Sequence, residues 1–552
     1  MGSHEIKIAL AQLNPVVGDI EGNLEKARYV RRKASEMGAD LVVFSELFLS
    51  GYPPEGLVQN RQFLMQGYKA CETFALETVD GGPSVLIGLP FYEGGRCMNA
   101  VFYLEDGSIA AKSMKRYLSP DSITGDADFF SAGNDYGLLK IRGLSVALAV
   151  GDELFNENVV TKLVSHGADL IISPQASCYW RKRPDERKKA VSHIAQNHHI
   201  PVLFVNQVGG QDDLVFDGAS FVAQIDGHCA PELPAFEDAL FLTKWEKQQK
   251  GNWICLESQE NKPLSDEQAD YSAAVLGLRD YIRKSGMKGV VLGLSGGMDS
   301  ALVAAIATDA LGAQNVLAIL LPSQFSSKGS VDDAQKLSAN LGIRSEIIPI
   351  MPVVSSVEET LKGLFAGHAR DVTEENIQAR SRGMILMAIS NKLRLLLLST
   401  GNKSEGAVGY STLYGDTCGG YNPVADIFKT NIYKLAEARN NWKPDIGLGP
   451  EGAVIPQAIF TKAPSAELRE NQKDQDSLPP YDVLDDILTQ FVEEKKSLDE
   501  IIASGHDANI VRKVLQLVYH AEFKRRQVPF GPKLTRISFR DRKYPVICRF
   551  IG

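Results

Sequence analysis

Hydrophobic residues recur along the first half of the chain in short continuous runs and in longer amphipathic stretches. Apolar runs of about four to eight residues indicate buried strands, and apolar positions spaced three or four apart indicate helices. Helices are predicted at 23–37 and 187–197. Strands are predicted at 6–10, 41–44, 84–89, 100–104, 146–150, 170–172, 202–205 and 220–224. This alternation predicts a layered α/β domain with its own core.

The second half shows the same alternation with longer helical stretches. Strands are predicted at 290–294, 316–321, 345–349 and 395–399, and helices at 271–284, 332–341 and 375–391. Strands joined by helical crossovers predict a parallel sheet that binds its ligand at the carboxyl ends of the strands. Between the halves the pattern loosens and polar residues dominate. The predicted domains are therefore 1–245 and 271–552, joined by a linker at 246–270.

Composition narrows the class of protein. The 552 residues are 44% hydrophobic and 23% charged, as in ordinary globular proteins, and the net charge of -9 gives no basis for a nucleic-acid surface. The seven scattered cysteines include no Cys-x-x-Cys pair, which favours a reducing compartment over a disulfide framework or structural zinc. We find no signal peptide and no apolar run of about 18 residues, so we expect a cytoplasmic protein without a membrane segment.

One polar loop between a predicted strand and a predicted helix has the chemistry of an anion site. It reads Ser295-Gly296-Gly297-Met298-Asp299-Ser300. Backbone N–H groups of such a loop and the first turn of the helix point at one place, where the helix dipole favours negative charge. Glycine lets a phosphate approach the backbone, and a nearby carboxylate suits Mg²⁺. The lysine of a Walker P-loop is missing.

This loop resembles the Ser-Gly-Gly-x-Asp-Ser loop of the N-type ATP pyrophosphatases, whose sheet is of the adenine-nucleotide α-hydrolase type. Further motifs resemble the NAD⁺ synthetase family over essentially the whole second half. They lie at 375–380, 400–405, 409–416, 429–430, 465–469, 477–481 and 522–527. The resemblance implies that ATP and Mg²⁺ activate deamido-NAD⁺ as an acyl-adenylate, which ammonia converts to NAD⁺ with release of AMP.

The resemblance also implies roles for individual residues. The ATP-binding set is Gly293, Leu294, Ser295, Gly296, Gly297, Met298, Asp299, Ser300, Arg380 and Thr400. The set that contacts deamido-NAD⁺ is Asn376, Glu405 and Lys524. Asp299 and Glu405 would bind Mg²⁺, and Lys403 and Lys429 would neutralise phosphate charge. Any one of these side chains alone is also compatible with a helix cap or a surface charge. The polar segment 465–476 is expected to order over the nucleotide.

Motifs in the first half resemble the nitrilase-superfamily amidase domain, an α-β-β-α sandwich that hydrolyses glutamine to ammonia in two-domain synthetases. They lie at 44–55, 112–115, 206–212 and 215–218. The family uses a Glu-Lys-Cys triad, and Glu46 and Lys115 match its first two members. The cysteine position holds Gly151, which cannot form a thioester. Loss of a covalent nucleophile typically reduces turnover by roughly 10⁴ to 10⁶.

Other departures surround the same pocket, at Asp121, Asp126 and Cys178, and indicate natural loss of the glutaminase. The sequence therefore predicts an NAD⁺ synthetase that uses free ammonia, and the family implies a homo-oligomer. Three alternatives stay open. They are an active glutamine-dependent enzyme with a displaced nucleophile such as Cys178, another pyrophosphatase such as a GMP or asparagine synthetase, and a non-catalytic nucleotide sensor.

Overall fold

The computed structural model describes residues 5–120, 123–249, 251–542 and 544–550. The chain divides into two compact units, the first formed by 1–211 and 215–263 and the second by 212–214 and 264–552. Within the described ranges, no helix is long and apolar enough to cross a membrane.

The first unit is built mainly of strands. Its helices are α1 (Ile20–Glu36), α2 (Arg61–Leu76), α3 (Asp126–Phe129), α4 (Glu157–Ser165) and α5 (Arg183–His198). Its strands are β1 (Glu5–Gln12), β2 (Leu41–Phe44), β3 (Ser84–Glu93), β4 (Arg96–Glu105), β5 (Ser108–Met114), β6 (Leu139–Ile141), β7 (Leu144–Leu148), β8 (Leu170–Gln175), β9 (Val202–Asn206), β10 (Val208–Gln211), β11 (Leu214–Asp217), β12 (Phe221–Ala223), β13 (Cys229–Glu232), β14 (Ala239–Lys247) and β15 (Trp253–Cys255).

Two sheets pack face to face in this unit. Their strand orders are β15-β14-β1-β2-β3-β4-β5 and β13-β12-β9-β8-β7-β6. One core contains Ile8 of β1 together with Val146 and Leu148 of β7, whereas Ala147 of β7 belongs to a second core with residues of α4 and α5. Alternate residues of one strand therefore face opposite layers. This arrangement confirms the predicted α-β-β-α sandwich.

The second unit combines a small sheet with many helices. Its strands are β16 (Val290–Gly293), β17 (Val316–Leu320), β18 (Arg344–Ile347) and β19 (Leu396–Leu398). Its helices are α6 (Asp266–Lys284), α7 (Met298–Leu311), α8 (Lys328–Leu341), α9 (Met351–Leu361), α10 (Val372–Leu393), α11 (Lys403–Val408), α12 (Lys429–Asn441), α13 (Gln457–Thr461), α14 (Tyr481–Leu488), α15 (Leu498–Ala503), α16 (Ala508–His520) and α17 (Glu522–Arg525).

The sheet of the second unit is parallel, with strand order β18-β17-β16-β19, as the sequence predicted. Val291 and Ile319 of the sheet share a core with Val354 of α9 and Ile377 of α10. A separate core of helices α11, α14, α15 and α16 lies in the C-terminal part of the unit. Helix α7 is apolar in its middle, from Ala301 to Ala307, and is buried almost throughout, which fixes its amino end beside the sheet.

The segment 246–270, predicted as a linker, contains more regular structure than expected. Strand β15 pairs with β14, and Trp253 and Cys255 are buried in the sandwich core. Helix α6 also begins within this segment, capped by the Ser265 side chain. The compact units divide at Pro263 and Leu264. The predicted boundaries at 245 and 271 stay predictions.

Candidate active sites

The carboxyl ends of β16, β17 and β19 open into a cavity of about 940 Å³ in the second unit. The predicted phosphate loop forms one wall, and the turns after β17 and β19 form others. Residues of the predicted ATP-binding set that line the cavity are Gly293, Leu294, Ser295, Gly297, Met298, Asp299, Ser300 and Thr400. The cavity therefore lies at the sheet edge where parallel α/β folds bind their ligands.

The phosphate loop requires glycine at one position for two reasons. Gly296 has a φ of 78°, and a Cβ there would collide with the carbonyl oxygen of Ser330. Gly297 caps helix α7 without a side chain, so the first N–H groups of the helix stay open toward the cavity. The Ser295 and Ser300 hydroxyl oxygens lie 3.0 Å apart and close the loop. This geometry suits a bound phosphate group.

Asp299 of this loop and two charged residues from other elements, Glu405 and Lys429, line the same cavity. Lys429 forms an ion pair with Asp299, and the Asn402 amide donates to the same carboxylate at 2.9 Å. Glu405 lines the cavity nearby. Its removal from bulk water, together with the negative charge of Asp299, raises the pKa of Glu405 to about 8, and Lys429 only partly opposes this. Two carboxylates thus repel one another across the cavity wall.

This repulsion provides a test of whether the residues fit Mg²⁺. A divalent cation between Asp299 and Glu405 would remove it. Among the described residues, no group of three or more His, Cys, Asp or Glu side chains is placed to hold a metal by itself. Mg²⁺ typically takes one or two carboxylates and completes its shell with water and substrate phosphates. The pair fits that mode of binding and does not form a closed metal site.

Helix α10 turns one face toward the cavity, and this face includes Asn376 but not Arg380, whose predicted contact with ATP stays a prediction. Asn376 lies on that face and accepts a hydrogen bond from the Thr412 hydroxyl at 2.8 Å. Arg380 is exposed, does not line the cavity and donates to the Leu413 carbonyl oxygen at 3.2 Å. Arg382 lines the cavity instead, and burial lowers its pKa. The helical spacing of cavity-facing positions 375, 379, 382 and 386 identifies Arg382, which sequence reasoning missed.

Lys403 and Lys429 were predicted to share one role, and the structure separates them. Lys429 lines the cavity, but Lys403 does not. The Lys403 amine is fully buried between Asp426 and Glu493, 2.9 Å from an oxygen of each carboxylate. The prediction that Lys403 neutralises phosphate charge is therefore not supported, because these two carboxylates already balance its charge inside the protein. Lys403 anchors the start of α11.

Lys524 belongs to a Lys-Arg-Arg run that could have been a solvated face. Its amine instead donates to the carbonyl oxygens of Gly409 and Ser411 at 2.8 and 2.7 Å, and it lines the cavity. Burial lowers its pKa. This placement is compatible with the predicted contact to deamido-NAD⁺, which stays a prediction.

The segment 465–476 lies against the cavity. Glu467 accepts hydrogen bonds from the hydroxyls of Ser327 and Ser330 at 3.0 and 2.7 Å, at the amino end of α8. Asp474 closes the other end of the segment, where it accepts a hydrogen bond from the Tyr481 hydroxyl at 2.9 Å. The segment is thus tied at both ends, as expected for a cover over a bound nucleotide.

A second cavity, of about 450 Å³, lies in the first unit and contains Glu46 and Lys115. The Lys115 amine is 2.9 Å from Glu46 and 2.8 Å from Asp126, and all three side chains are buried. Burial raises the pKa of Glu46 to about 7, while Lys115 lowers it and Asp126 raises it. The Lys115 amine therefore donates to two carboxylates, Glu46 and Asp126, whereas a Glu-Lys-Cys triad requires only the first.

Gly151 occupies the third corner of this arrangement. A Cβ atom placed on it would lie 2.5 Å from each carboxylate oxygen of Glu46 and 2.7 Å from the Lys115 amine. Its φ of 56° lies in the left-handed region. The turn is held from behind by Glu153, which accepts from the Val150 N–H at 2.7 Å and pairs with Arg116. The turn next to Glu46 and Lys115 therefore carries no side chain at Gly151 that could attack an amide, and the loss of a nucleophile stays a prediction.

Other groups around this cavity were not identified from the sequence. Arg183 lies over the Trp180 ring at 4.5 Å, and burial lowers its pKa. Arg183 Nε, Trp180 Nε1 and Ser177 Oγ have no hydrogen-bond partner among the described residues. Donors of this kind would hold a small anionic group.

Cys178, one of the predicted departures, lines the same cavity. Asp121, one of the predicted departures, lies outside the described residues.

Comparison with known proteins extends these observations to the whole chain. The NAD synthase family model matches residues 270–528, and the carbon-nitrogen hydrolase model matches residues 7–253. The glutamine-dependent NAD(+) synthetase of Rhodobacter capsulatus is 45% identical over 545 residues, covering 99% of this chain and 98% of that protein. That of Thermotoga maritima is 39% identical, covering 99% of each. The glutamine-dependent NAD⁺ synthetase of Acinetobacter baumannii, solved with ADP, superposes with a TM-score of 0.79, at 36% identity and 98% coverage of both chains.

The fold and the two cavities define a carbon–nitrogen ligase that carries an amidase-type unit. The similarity covers nearly the full length of the chain and of its relatives. The chain belongs to the family of glutamine-dependent NAD(+) synthetases.

Proposed function

We propose that this protein amidates deamido-NAD⁺ to NAD⁺ at the expense of ATP, with free ammonia as the nitrogen donor. The proposed ligase activity is supported by the cavity that the phosphate loop, including Asp299, lines together with Glu405 and Lys429. The choice of donor rests on one observation, the absence of a side chain at Gly151 between Glu46 and Lys115.

The chain's own residues account for the first half of the reaction. The N–H groups of the loop and the amino end of α7 bind the β- and γ-phosphates, and Lys429 balances charge as pyrophosphate leaves. A deamido-NAD⁺ carboxylate oxygen attacks the α-phosphorus, giving an acyl-adenylate. Bound Mg²⁺, held by Asp299 and Glu405, supplies further stabilisation of phosphate charge.

The second half forms the amide. Ammonia attacks the acyl carbon, the bond to AMP breaks, and the nitrogen loses a proton. The 465–476 segment excludes water, which would otherwise return the adenylate to the acid. Asn376, Glu405 and Lys524, which line the cavity, contact deamido-NAD⁺ in this proposal, and Thr400 contacts ATP.

The direct test measures NAD⁺ formed from deamido-NAD⁺, ATP and Mg²⁺ with either ammonium chloride or glutamine as the only nitrogen source. We expect product with ammonium and a rate with glutamine at least about 10³-fold lower. Comparable rates would refute the inactive amidase. Absence of product with both donors would refute the ligase assignment, and AMP formation with XMP or aspartate instead would identify another pyrophosphatase.

One observation favours a second candidate, an active glutamine-dependent enzyme. Cys178 lines the same cavity as Glu46 and Lys115 and carries a thiol. Should glutamine support the reaction, the Cys178→Ala variant separates the two cases. Loss of glutamine use with retained ammonium use would identify Cys178 as the displaced nucleophile. A pure nucleotide sensor would release no pyrophosphate with any donor. The cytoplasmic location and the homo-oligomeric state stay predictions.

A further inference from the structure

Helices α11 and α12 bring two groups of the ligase cavity together. Glu405 is the third residue of α11, and Lys429 is the first residue of α12. Asn402 caps α11 with its own side chain. Phe428, which precedes α12, has no side-chain group that could do the same. The first N–H groups of α12 therefore need acceptors from elsewhere in the fold.

Two other helices supply those acceptors. The Ser404 hydroxyl oxygen accepts from the Lys429 N–H at 2.9 Å, and the Asp485 carboxylate accepts from the Thr430 N–H at 2.9 Å. The Ser404 hydroxyl in turn donates to Asp485. Ser404 and Asp485 are 0% and 4% exposed. The Asp485 carboxylate thus joins the start of α12 to Ser404, the neighbour of Glu405 on α11. A negative charge is also favourable at the amino end of a helix.

Asp485 is itself held in place. It lies on α14, where its neighbours Leu484, Ile487 and Leu488 are buried in the C-terminal helical core. Its backbone carbonyl oxygen accepts from the Thr489 hydroxyl at 2.7 Å. The same helix begins with Tyr481, whose ring lies under the Lys429 amine. A shift of this carboxylate would therefore displace Lys429 relative to Glu405.

We propose that Asp485 is a positioning residue for the ligation, acting through Ser404 on the separation of Lys429 and Glu405. This inference rests on the proposed function, in which those two groups face the phosphates of ATP. Asp485 does not line the cavity and would not touch substrate. Its effect comes from geometry, since a displacement of about 1 Å at a catalytic group typically lowers the rate by about 10²-fold.

The test uses the full chain with the Asp485→Asn substitution. Asparagine keeps the shape and can still accept from the Thr430 N–H, but it loses the charge and the acceptor for Ser404. We expect kcat with saturating ammonium to fall by about 10- to 100-fold, while the KM for ATP changes by less than about threefold. The Mg²⁺ concentration for half-maximal rate should rise, because Asp299 and Glu405 lose their fixed relation to Lys429.

Asp486→Asn is the matched control. Asp486 lies on the same helix but pairs with His506 at the surface. The substitution removes the same charge, and kcat should stay within about twofold of wild type. Ser404→Ala provides an independent variant if Asp485→Asn does not fold, because it removes the same hydrogen bond to Asp485.

A folded Asp485→Asn or Ser404→Ala protein with wild-type kcat would overturn the inference, even if its unfolding temperature were lower. Wild-type protein assayed in parallel separates this outcome from failure of the proposed function, which would abolish NAD⁺ formation in every variant.

Discussion

Gly151 has a left-handed backbone and no side chain at the point where Glu46 and Lys115 converge. The sequence predicted the missing nucleophile from its position after a buried strand. It did not predict that Glu46 would occupy the space of a Cβ atom, or that Asp126 would pair with Lys115. Those features depend on side-chain directions in three dimensions, and they bear on whether the site can be repaired.

Restoring the thiol alone should not restore glutamine use. In the Gly151→Cys variant the new Cβ lies within 2.5 Å of both Glu46 oxygens, so a buried ion pair must rearrange. We expect a loss of about 1–3 kcal/mol in stability from backbone strain and overpacking. Glutamine-dependent NAD⁺ formation should stay below about 1% of the ammonium-dependent rate.

Gly151→Ala is the matched control, because it introduces the same Cβ without a thiol and should be destabilised to a similar extent. Both variants should keep the ammonium-dependent rate. A glutamine-dependent rate of Gly151→Cys that is comparable to its ammonium-dependent rate would contradict this prediction.

The raised pKa of Glu46 predicts a pH-dependent stability difference. Its folded pKa of about 7 exceeds the unfolded value of about 4.3, so the folded chain keeps a proton that the unfolded chain has lost. The contribution of Glu46 to the stability of the wild type therefore falls as pH rises from about 4.5 to 7. The Glu46→Gln variant lacks this titration and should gain on the order of 1–3 kcal/mol relative to wild type across that window.

Thermal unfolding of both proteins between pH 5 and 8 measures this difference. Glu359→Gln, an exposed control, should follow the wild-type curve. Parallel curves for Glu46→Gln and wild type would contradict the raised pKa.

Most of the ligase residues named from motif resemblance line one cavity, but the motifs could not distinguish neighbouring positions on a helix. Arg380 and Arg382 are two positions apart on α10, and only Arg382 faces the cavity. Lys403 and Lys429 have the same charge, yet Lys403 is neutralised by Asp426 and Glu493 inside the protein. A motif gives residue type and spacing, whereas side-chain direction depends on the packing of each helix.

At the scale of elements, short continuous apolar runs between helical stretches predicted β16, β17 and β19 of the parallel sheet. Strand β15 was missed because its apolar run, 253–256, is only four residues long and the polar residues on both sides of it dominate the local pattern. Its burial depends on pairing with β14, which no local pattern records.

The contacts of the 465–476 segment lead to a prediction about the exclusion of water from the cavity. Glu467→Gln removes the charge that the Ser327 and Ser330 hydroxyls donate to at the start of α8. We expect the cover to open more often, so that ATP is converted to AMP without amidation. The ratio of AMP to NAD⁺ should rise from near one to about two or more, with a smaller change in KM for ATP.

Glu470→Gln lies in the same segment, is exposed and serves as the control. An unchanged ratio of AMP to NAD⁺ in Glu467→Gln would show that this contact does not govern access of water.

At the scale of the molecule, the proposed function makes ammonia from solution the nitrogen donor. The nucleophile is NH₃, whose share of total ammonium rises about tenfold per pH unit below the ammonium pKa. The KM for total ammonium chloride should therefore fall about tenfold from pH 7 to pH 8, while the KM for ATP changes little. Initial rates at fixed Mg²⁺ test this, and a KM for ammonium independent of pH would contradict supply by diffusion.

The bare turn at Gly151 also has a pharmacological consequence. Electrophilic glutamine analogues act by alkylating a thiol, and this position offers no atom to alkylate. On the proposed function, such compounds would leave NAD⁺ formation intact at doses that inactivate an enzyme with the cysteine. Inhibitors of this protein would instead have to compete for the nucleotide cavity. An organism that depends on it would carry built-in resistance to one class of antimetabolite.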